Sequence, residues 1–369
     1  MSSIFKKILA SHQNNLPFVS FRKPNSKKIH TYLCEDSSIK YSESYKEEGF
    51  VFAPFHNLNP SIIFLKSKSK IYEDEFVNDS MNLSSNSFHQ PVSGKKRHLD
   101  LVINGIDAIK NNQFKKVVLS RKEIVELDSI DILSIFQKLL YKYENAFVYV
   151  WFHPKVGLWM GATPERLVTL NNREFHTTAL ASTQVFEGNT NPSWGTKEKE
   201  EHQYVLDYIV SQIKDQENGI ILKNFSVSDT YTIKAGNLLH LKADIKGSIA
   251  DFELKSLLDT LHPTPAVCGL PKATAKNFIL QNENYDRSYY TGFLGEINTN
   301  QKTDLYVNLR CVEVKDVHAV IYVGGGITLD SNPLDEWFET CNKTNTIKSV
   351  LKSKKQSKLI ESFFKIEFE

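Results

Sequence analysis

AFVYVWFHPKVGLWMGATPERLVTLNNREFHTTALAST, residues 146–183, carries β-like runs in series with no helical stretch between them. Ala146–Phe152 is β-branched and aromatic, and Gly157–Leu170 and Arg173–Thr183 follow as strands around the turn at ATPERL. Outward from this stretch, Lys116–Leu127 (KVVLSRKEIVEL) alternates like a strand, with Val117, Leu119 and Arg121 on one face. Leu99–Asn111 has helical periodicity, and Thr196–Lys214 is an amphipathic helix with Val205, Tyr208, Ile209 and Ile213 on its apolar stripe. A helix over Asp251–Leu261 should stop before Pro263, and another should begin at Pro271, since proline suits the first helical position. Leu305–Val314 and Val317–Val323 read as a strand pair closing on Gly324-Gly325-Gly326, and Asn332 opens the last long helix. The pattern is α+β with antiparallel sheets, not strict β-α alternation.

The chain has 369 residues, 41% of them hydrophobic and 24% charged, enough for a core of ordinary size. Its 45 Lys and Arg against 43 Asp and Glu leave a formal net charge of +2, which gives no electrostatic reason to expect a nucleic acid or an anionic membrane as partner. Cys34, Cys268, Cys311 and Cys341 are far apart, which argues against a zinc cage or a disulfide framework. The opening MSSIFKKILASHQNN lacks the apolar run of a signal peptide, and no stretch of about 18 apolar residues occurs, so a cytoplasmic location is expected. Asn78–His98 is rich in Ser, Asn, Pro and Gly and reads as a linker or long surface loop. Before it lie short β-like runs at Phe18–Phe21, Ile29–Cys34, Phe50–Phe52 and Ile62–Leu65. The expected division is an N-terminal segment, 1–95, packing on a main unit, 96–369.

GxGxxG, GxxxxGK[ST], HExxH and GxSxG are absent. Three features remain. Gly324–Gly326 ends an apolar strand and reads as a tight turn, or as a nest whose backbone approaches a carboxylate. The acidic runs Lys197-Glu198-Lys199-Glu200-Glu201-His202 and Asp335-Glu336-Trp337-Phe338-Glu339 open two helices; they either complement the helix dipole or offer carboxylates to Mg²⁺. Lys116, Glu165 and Arg310 each stand at a strand or strand end among apolar neighbours. They are either salt-bridged or snorkelling structural residues or, for Lys116 and Glu165, a base and an acid whose proton affinities burial adjusts.

Taken together, the blocks KVVLSR (116–121), GATPERLV (161–168), TTALAST (177–183), KEKEEHQYV (197–205), HLKADIKG (240–247), LHPTPAVCGLP (261–271), DRSYYTGFLG (286–295), DLYVNLR (304–310) and YVGGGIT with the following S, P, E, ET and K (322–343) resemble, in this order, the chorismate-utilising enzymes, most closely the isochorismate synthases. The resemblance covers roughly 96–350 and implies one large α+β unit of stacked antiparallel sheets flanked by helices, with the active site in a cleft. It implies an Mg²⁺-dependent enzyme that moves the hydroxyl of chorismate from ring carbon 4 to carbon 2 by water attack. Lys116 then matches the general base and Glu165 the acid on the leaving hydroxyl. Glu201 and Glu339 match the metal ligands, and Arg310 and Lys343 the residues that hold the substrate carboxylates. Gly324, Gly325 and Gly326, with Ser182 and Tyr290, complete the implied substrate site.

Lys116 favours water as nucleophile, since the ammonia-using relatives carry a residue such as Gln there. Ala181 stands where aminodeoxychorismate synthases carry a lysine. Salicylate synthases share both features, so pyruvate elimination is the alternative activity; a catalytically silent binding or scaffold protein is a further alternative, of a different class. Ser182 replaces a glycine of the family, Ala243 a Thr or Ser, and Cys268 a Gly or Ser. A monomer is expected, and menaquinone formation is the expected use, with siderophore or salicylate formation as the other uses.

Overall fold

The structure is a computed structural model that describes residues 3–56, 59–76, 94–127, 129–215, 220, 222–235, 238–249, 253–315 and 317–351. The expected linker therefore lies outside the described residues as far as 93. Two antiparallel sheets stack face to face. The first runs, in spatial order, β15 (Gly269–Leu270), β7 (Lys116–Glu126), β19 (His318–Ile327), β18 (Cys311–Lys315), β9 (Gly157–Thr163), β8 (Phe147–His153), β1 (Phe18–Arg22), β2 (Lys28–Cys34) and β6 (Ser69–Glu75). The second runs β12 (Leu222–Val227), β14 (Leu238–Ile249), β11 (Glu174–Val185), β10 (Arg166–Asn171), β17 (Lys302–Val307), β16 (Phe293–Thr299), β4 (Gly49–Ala53), β5 (Ser61–Leu65) and β3 (Tyr41–Ser42), with β13 (Tyr231–Ala235) also paired to β14. The N-terminal strands are thus hydrogen-bonded into both sheets.

Helices α1 (Ser3–Gln13), α2 (Lys95–Lys110), α3 (Ile132–Lys142), α6 (Lys272–Asn282) and α7 (Pro333–Lys348) pack on the first sheet, and α4 (Thr196–Lys214) and α5 (Leu254–Leu261) on the second. The α+β expectation holds, and strand β8 shows why its sequence is apolar throughout. Val148, Val150 and Phe152 point to the helix layer, while Phe147, Tyr149 and Trp151 point to the aromatic layer between the sheets. A strand covered on both faces has no polar side to show.

Helix α4 has the expected bounds. Helix α7 opens after Asn332, whose side chain accepts from the Leu334 and Asp335 N–H groups, with Pro333 in the first position. Helix α6 begins at Lys272, one residue after the expected start, because Pro271 adopts the extended conformation of a cap residue.

Two expectations fail on topology. Leu305–Val314 is not one strand: β17 belongs to the second sheet and β18 to the first. The chain crosses between sheets at Asn308–Arg310, and crosses the other way at Pro164–Glu165, between β9 and β10. The crossings are neighbours, since Val307 N–H donates to Glu165 O at 2.9 Å and Ala162 N–H to Arg310 O at 3.1 Å. Arg310 is held at φ 48°, in the left-handed region. Such a backbone persists where its surroundings over-determine it: the side chain of buried Asn308 accepts from Tyr149 OH at 2.7 Å and donates to Tyr289 O at 2.9 Å.

Of the two readings of the glycine triplet, the tight turn fails: Gly324, Gly325 and Gly326 lie in the interior of a ladder, opposite Ser120, Leu119 and Val118.

Candidate active site

The sheet crossings place Glu165 and Arg310 side by side, and the remaining charged residues singled out in the sequence converge on them. Glu165 is desolvated, which pushes its carboxyl up to about 7 against the opposing pull of Lys116, Lys343 and Arg310. Three cations from three parts of the chain therefore face one carboxyl group. Lys116 opens β7, and its Nζ donates to Glu201 Oε1 at 2.9 Å, on helix α4. Lys343, on α7, donates to Glu339 Oε1 at 2.6 Å and to Gly324 O at 3.1 Å. Arg310 Nη1 donates to Thr346 Oγ1 at 2.9 Å, and its charge is felt by Glu339, Glu165 and Tyr290.

Lys116, Glu165, Glu201, Arg310, Glu339 and Lys343 thus form one constellation although 227 residues separate the first from the last in numbering, from 116 to 343.

The glycines make this crowding possible. A Cβ at Gly326 would lie 3.1 Å from Lys116 Cε, and one at Gly325 would lie 3.0 Å from Glu336 Oε2. Tyr290 is buried, stacks on Tyr322 with ring centres 5.5 Å apart, and turns its hydroxyl toward Gly324.

Ser182 sits on a bulge of β11 at φ 62°, the left-handed conformation that glycine adopts without penalty. Its hydroxyl donates to Glu198 O at 2.7 Å, on the first turn of α4, and its carbonyl accepts from His240 Nδ1–H at 3.1 Å. Ala243 is fully buried in the apolar cluster under α4 and α5, where a hydroxyl would need a partner.

Two groups inside the quoted runs and blocks were given no role by the sequence. His240 is kept neutral by burial and feels both Lys343 and Arg310; the only sign of it was its place at the head of the HLKADIKG block. Glu336 is pushed up to about 7 by burial, with Glu339 adding to the effect. Its Oε1 accepts from Ser331 at 2.7 Å, while its Oε2 is buried without a hydrogen-bond partner. An acidic residue in the first turn of a helix reads as dipole compensation, which is why Glu336 was passed over.

Among the described residues no three His, Cys, Asp or Glu side chains form a group that could cage a metal ion on their own. Mg²⁺ does not require such a cage, because it keeps several waters and takes one or two protein carboxylates plus substrate oxygens. The orphaned Glu336 Oε2, close enough to Glu339 to feel its charge, is a buried oxygen donor without a hydrogen-bond partner, which fits a hard divalent cation.

The model of the chorismate binding enzymes matches residues 56–352. The chain belongs to this family. A search of curated proteins finds the salicylate biosynthesis isochorismate synthase of Pseudomonas aeruginosa, 28% identical over 260 residues, which are 68% of this chain and 53% of that protein. It also finds isochorismate synthase EntC of Escherichia coli (strain K12), 27% identical over 250 residues, covering 64% of this chain and 62% of the relative. The matches span about half of the first such relatives' lengths, at 53% and 46%. Among solved structures, a Bacillus anthracis protein described as a 2,3-dihydroxybenzoate-specific isochorismate synthase, DhbC, superposes with a TM-score of 0.74 at 21% identity, over 94% of this chain and 98% of its own. Anthranilate synthase component I from Streptococcus pneumoniae superposes at a TM-score of 0.65. These likenesses confirm the chorismate-binding fold. No helix among the described residues is long and apolar enough to cross a membrane.

Proposed function

We propose that this chain is an isochorismate synthase, taking chorismate to isochorismate with Mg²⁺ as cofactor. The observation that carries the reading is the arrangement around Glu165, with a lysine, a second lysine and an arginine directed at a carboxyl group held up to about 7. In this reading Lys116 takes the proton of the water that attacks ring carbon 2, and Glu165 delivers a proton to the hydroxyl leaving ring carbon 4. An acid with a value near neutrality is well matched to that task. Arg310 and Lys343 hold the carboxylates of a dianionic substrate through charge-assisted hydrogen bonds. The backbone of Gly324–Gly326, with Ser182 and Tyr290, shapes the wall against which the ring rests.

Glu201 and Glu339 would hold Mg²⁺, with the buried Glu336 carboxylate oxygen as a further donor. The cation supplies positive charge that lets a dianion approach a site lined with carboxylates.

Product analysis tests the reading. Incubation with chorismate and Mg²⁺ should give isochorismate, with turnover lost in excess EDTA and the fold retained. Salicylate plus pyruvate would identify the pyruvate-eliminating alternative, and no turnover would leave a binding protein.

Arg310→Ala should lower kcat/KM about ten- to a hundredfold, since a charge-assisted contact of this kind contributes roughly 1.5–3 kcal/mol. Its bond to Thr346 is also lost, so thermal melting should be measured alongside. A lowered melting point with unchanged kcat/KM would make Arg310 structural.

A further inference from the structure

We infer that Arg121 is a positioning residue: it fixes helix α7 on strand β7, and through α7 sets Glu336, Glu339 and Lys343 relative to Lys116. The inference rests on the reading of the cleft given above. Arg121 lies on the same strand as Lys116, five positions further on, and its side chain is almost fully enclosed, at 7% exposure. Its Nε donates to Thr340 Oγ1 at 2.8 Å, and its guanidinium lies over the Trp337 ring, 4.5 Å from the centroid. Its Nη1 donates to Glu123 Oε2 at 3.0 Å, and Glu123 also pairs with Lys348 in the last turn of α7. One strand therefore grips the helix near its middle and at its last turn.

The helix geometry makes this grip matter for the cleft. Trp337, Thr340, Thr344 and Lys348 are buried on one side of α7. Glu336 and Glu339 immediately precede two of the gripped residues, and Lys343 lies i+4 from Glu339. Any slide of α7 along β7 carries all three charged groups with it. An apolar seam tolerates small slides. A planar guanidinium with a directed bond to a fully buried hydroxyl does not. Thr340 is itself oriented, since its hydroxyl donates to Trp337 O at 2.8 Å and so presents a lone pair to Arg121. His98, its ring centre 5.9 Å from that of Trp337, is kept neutral by burial with Arg121 adding to the effect, so no second charge competes for the ring.

Thr340→Val removes the bond to Arg121 at nearly constant volume, and Arg121→Lys keeps the charge but loses the fork and the stacking. For each variant of the full chain, the dissociation constants of Mg²⁺ and of chorismate are measured by calorimetry, together with KM, kcat and the melting temperature. A misplacement of about 1 Å costs on the order of 10²-fold in rate, so a shift of a fraction of that should lower kcat/KM about tenfold, and both dissociation constants and KM should rise with it. Thr340→Val should melt within a few degrees of the parent, and the double variant should bind no more weakly than Arg121→Lys alone, because both changes break one contact. Unchanged dissociation constants and KM in both single variants, whatever the melting temperatures, would overturn the inference. If the parent binds chorismate without turning it over, the reaction reading fails, and the binding constants still decide the role of Arg121. If Arg121→Lys does not fold, Thr340→Val decides it.

Discussion

Lys116→Gln should lower kcat for chorismate by about 10²–10⁴-fold, the usual contribution of a positioned general base. In the resting structure Lys116 is nearly enclosed, with 14% of its side chain exposed, and it donates to the Glu201 carboxylate at 2.9 Å. If that ion pair were its whole purpose, the glutamine variant would turn over within a fewfold of the parent, because glutamine can still donate to Glu201. If Lys116 activates water, the variant has nothing to take the proton and the rate collapses. Chorismate affinity should survive in either case, since Arg310 and Lys343 are untouched. Mg²⁺ affinity should also survive, because Glu201 is released from its ion pair rather than removed. Steady-state kinetics and a calorimetric titration of this one variant separate the two readings.

Glu165→Gln should cost a similar factor, about 10²–10⁴-fold, and should also change the shape of the pH profile. The carboxyl is pushed up to about 7 from its ordinary 4.5 by burial, with Lys116, Lys343 and Arg310 pulling the other way. Acting as an acid, it is competent while protonated, so kcat/KM should fall on the alkaline side with a midpoint near 7. The glutamine variant should lose that limb. Stability follows the same group: its proton is bound more tightly in the folded chain than in the unfolded one. Its contribution is therefore complete below 4.5 and disappears as pH rises through about 7. The melting temperature of Glu165→Gln should accordingly decline less between pH 5 and pH 8 than that of the parent. An alkaline limb that persists in the variant would assign the proton to another group.

How much of this was legible in the sequence depended on whether side-chain pattern or tertiary closure set each feature. Thr196–Lys214 was readable to the residue because its apolar stripe repeats with the helix and Gly195 and Asp215 bound it. The series of strands from 146 to 183 was readable because turns, not helices, join them. What it concealed is that β9 and β10 lie in different sheets, since an apolar run looks the same whether it continues one strand or crosses between two. The same blindness merged β17 with β18, where the break at Asn308–Arg310 carries neither Gly nor Pro and is imposed by the bonds of Asn308 and the left-handed Arg310.

The glycine triplet was misread because glycine in a strand lacks the usual strand propensity; its reason for being there is the close approach of Lys116 and Glu336, which only the folded chain reveals. The candidate site was legible chiefly through the ordered family blocks, which named Lys116, Glu165, Glu201, Arg310, Glu339 and Lys343 together. Singly, each had a plainer explanation as a salt bridge or a helix-end charge. Glu336 and His240, though inside the quoted runs and blocks, received no role because nothing local distinguishes a carboxylate in a first helical turn, or a histidine in a strand, from its structural counterparts.

In the proposed reaction water, activated by Lys116 and assisted by Glu165, adds at ring carbon 2 as the 4-hydroxyl departs. Turnover of chorismate in ¹⁸O-labelled water, followed by mass spectrometry of the product, tests it most directly. Isochorismate carrying one ¹⁸O at carbon 2 is the predicted result, whereas isochorismate without label would mean that the original hydroxyl had migrated, and would contradict the account.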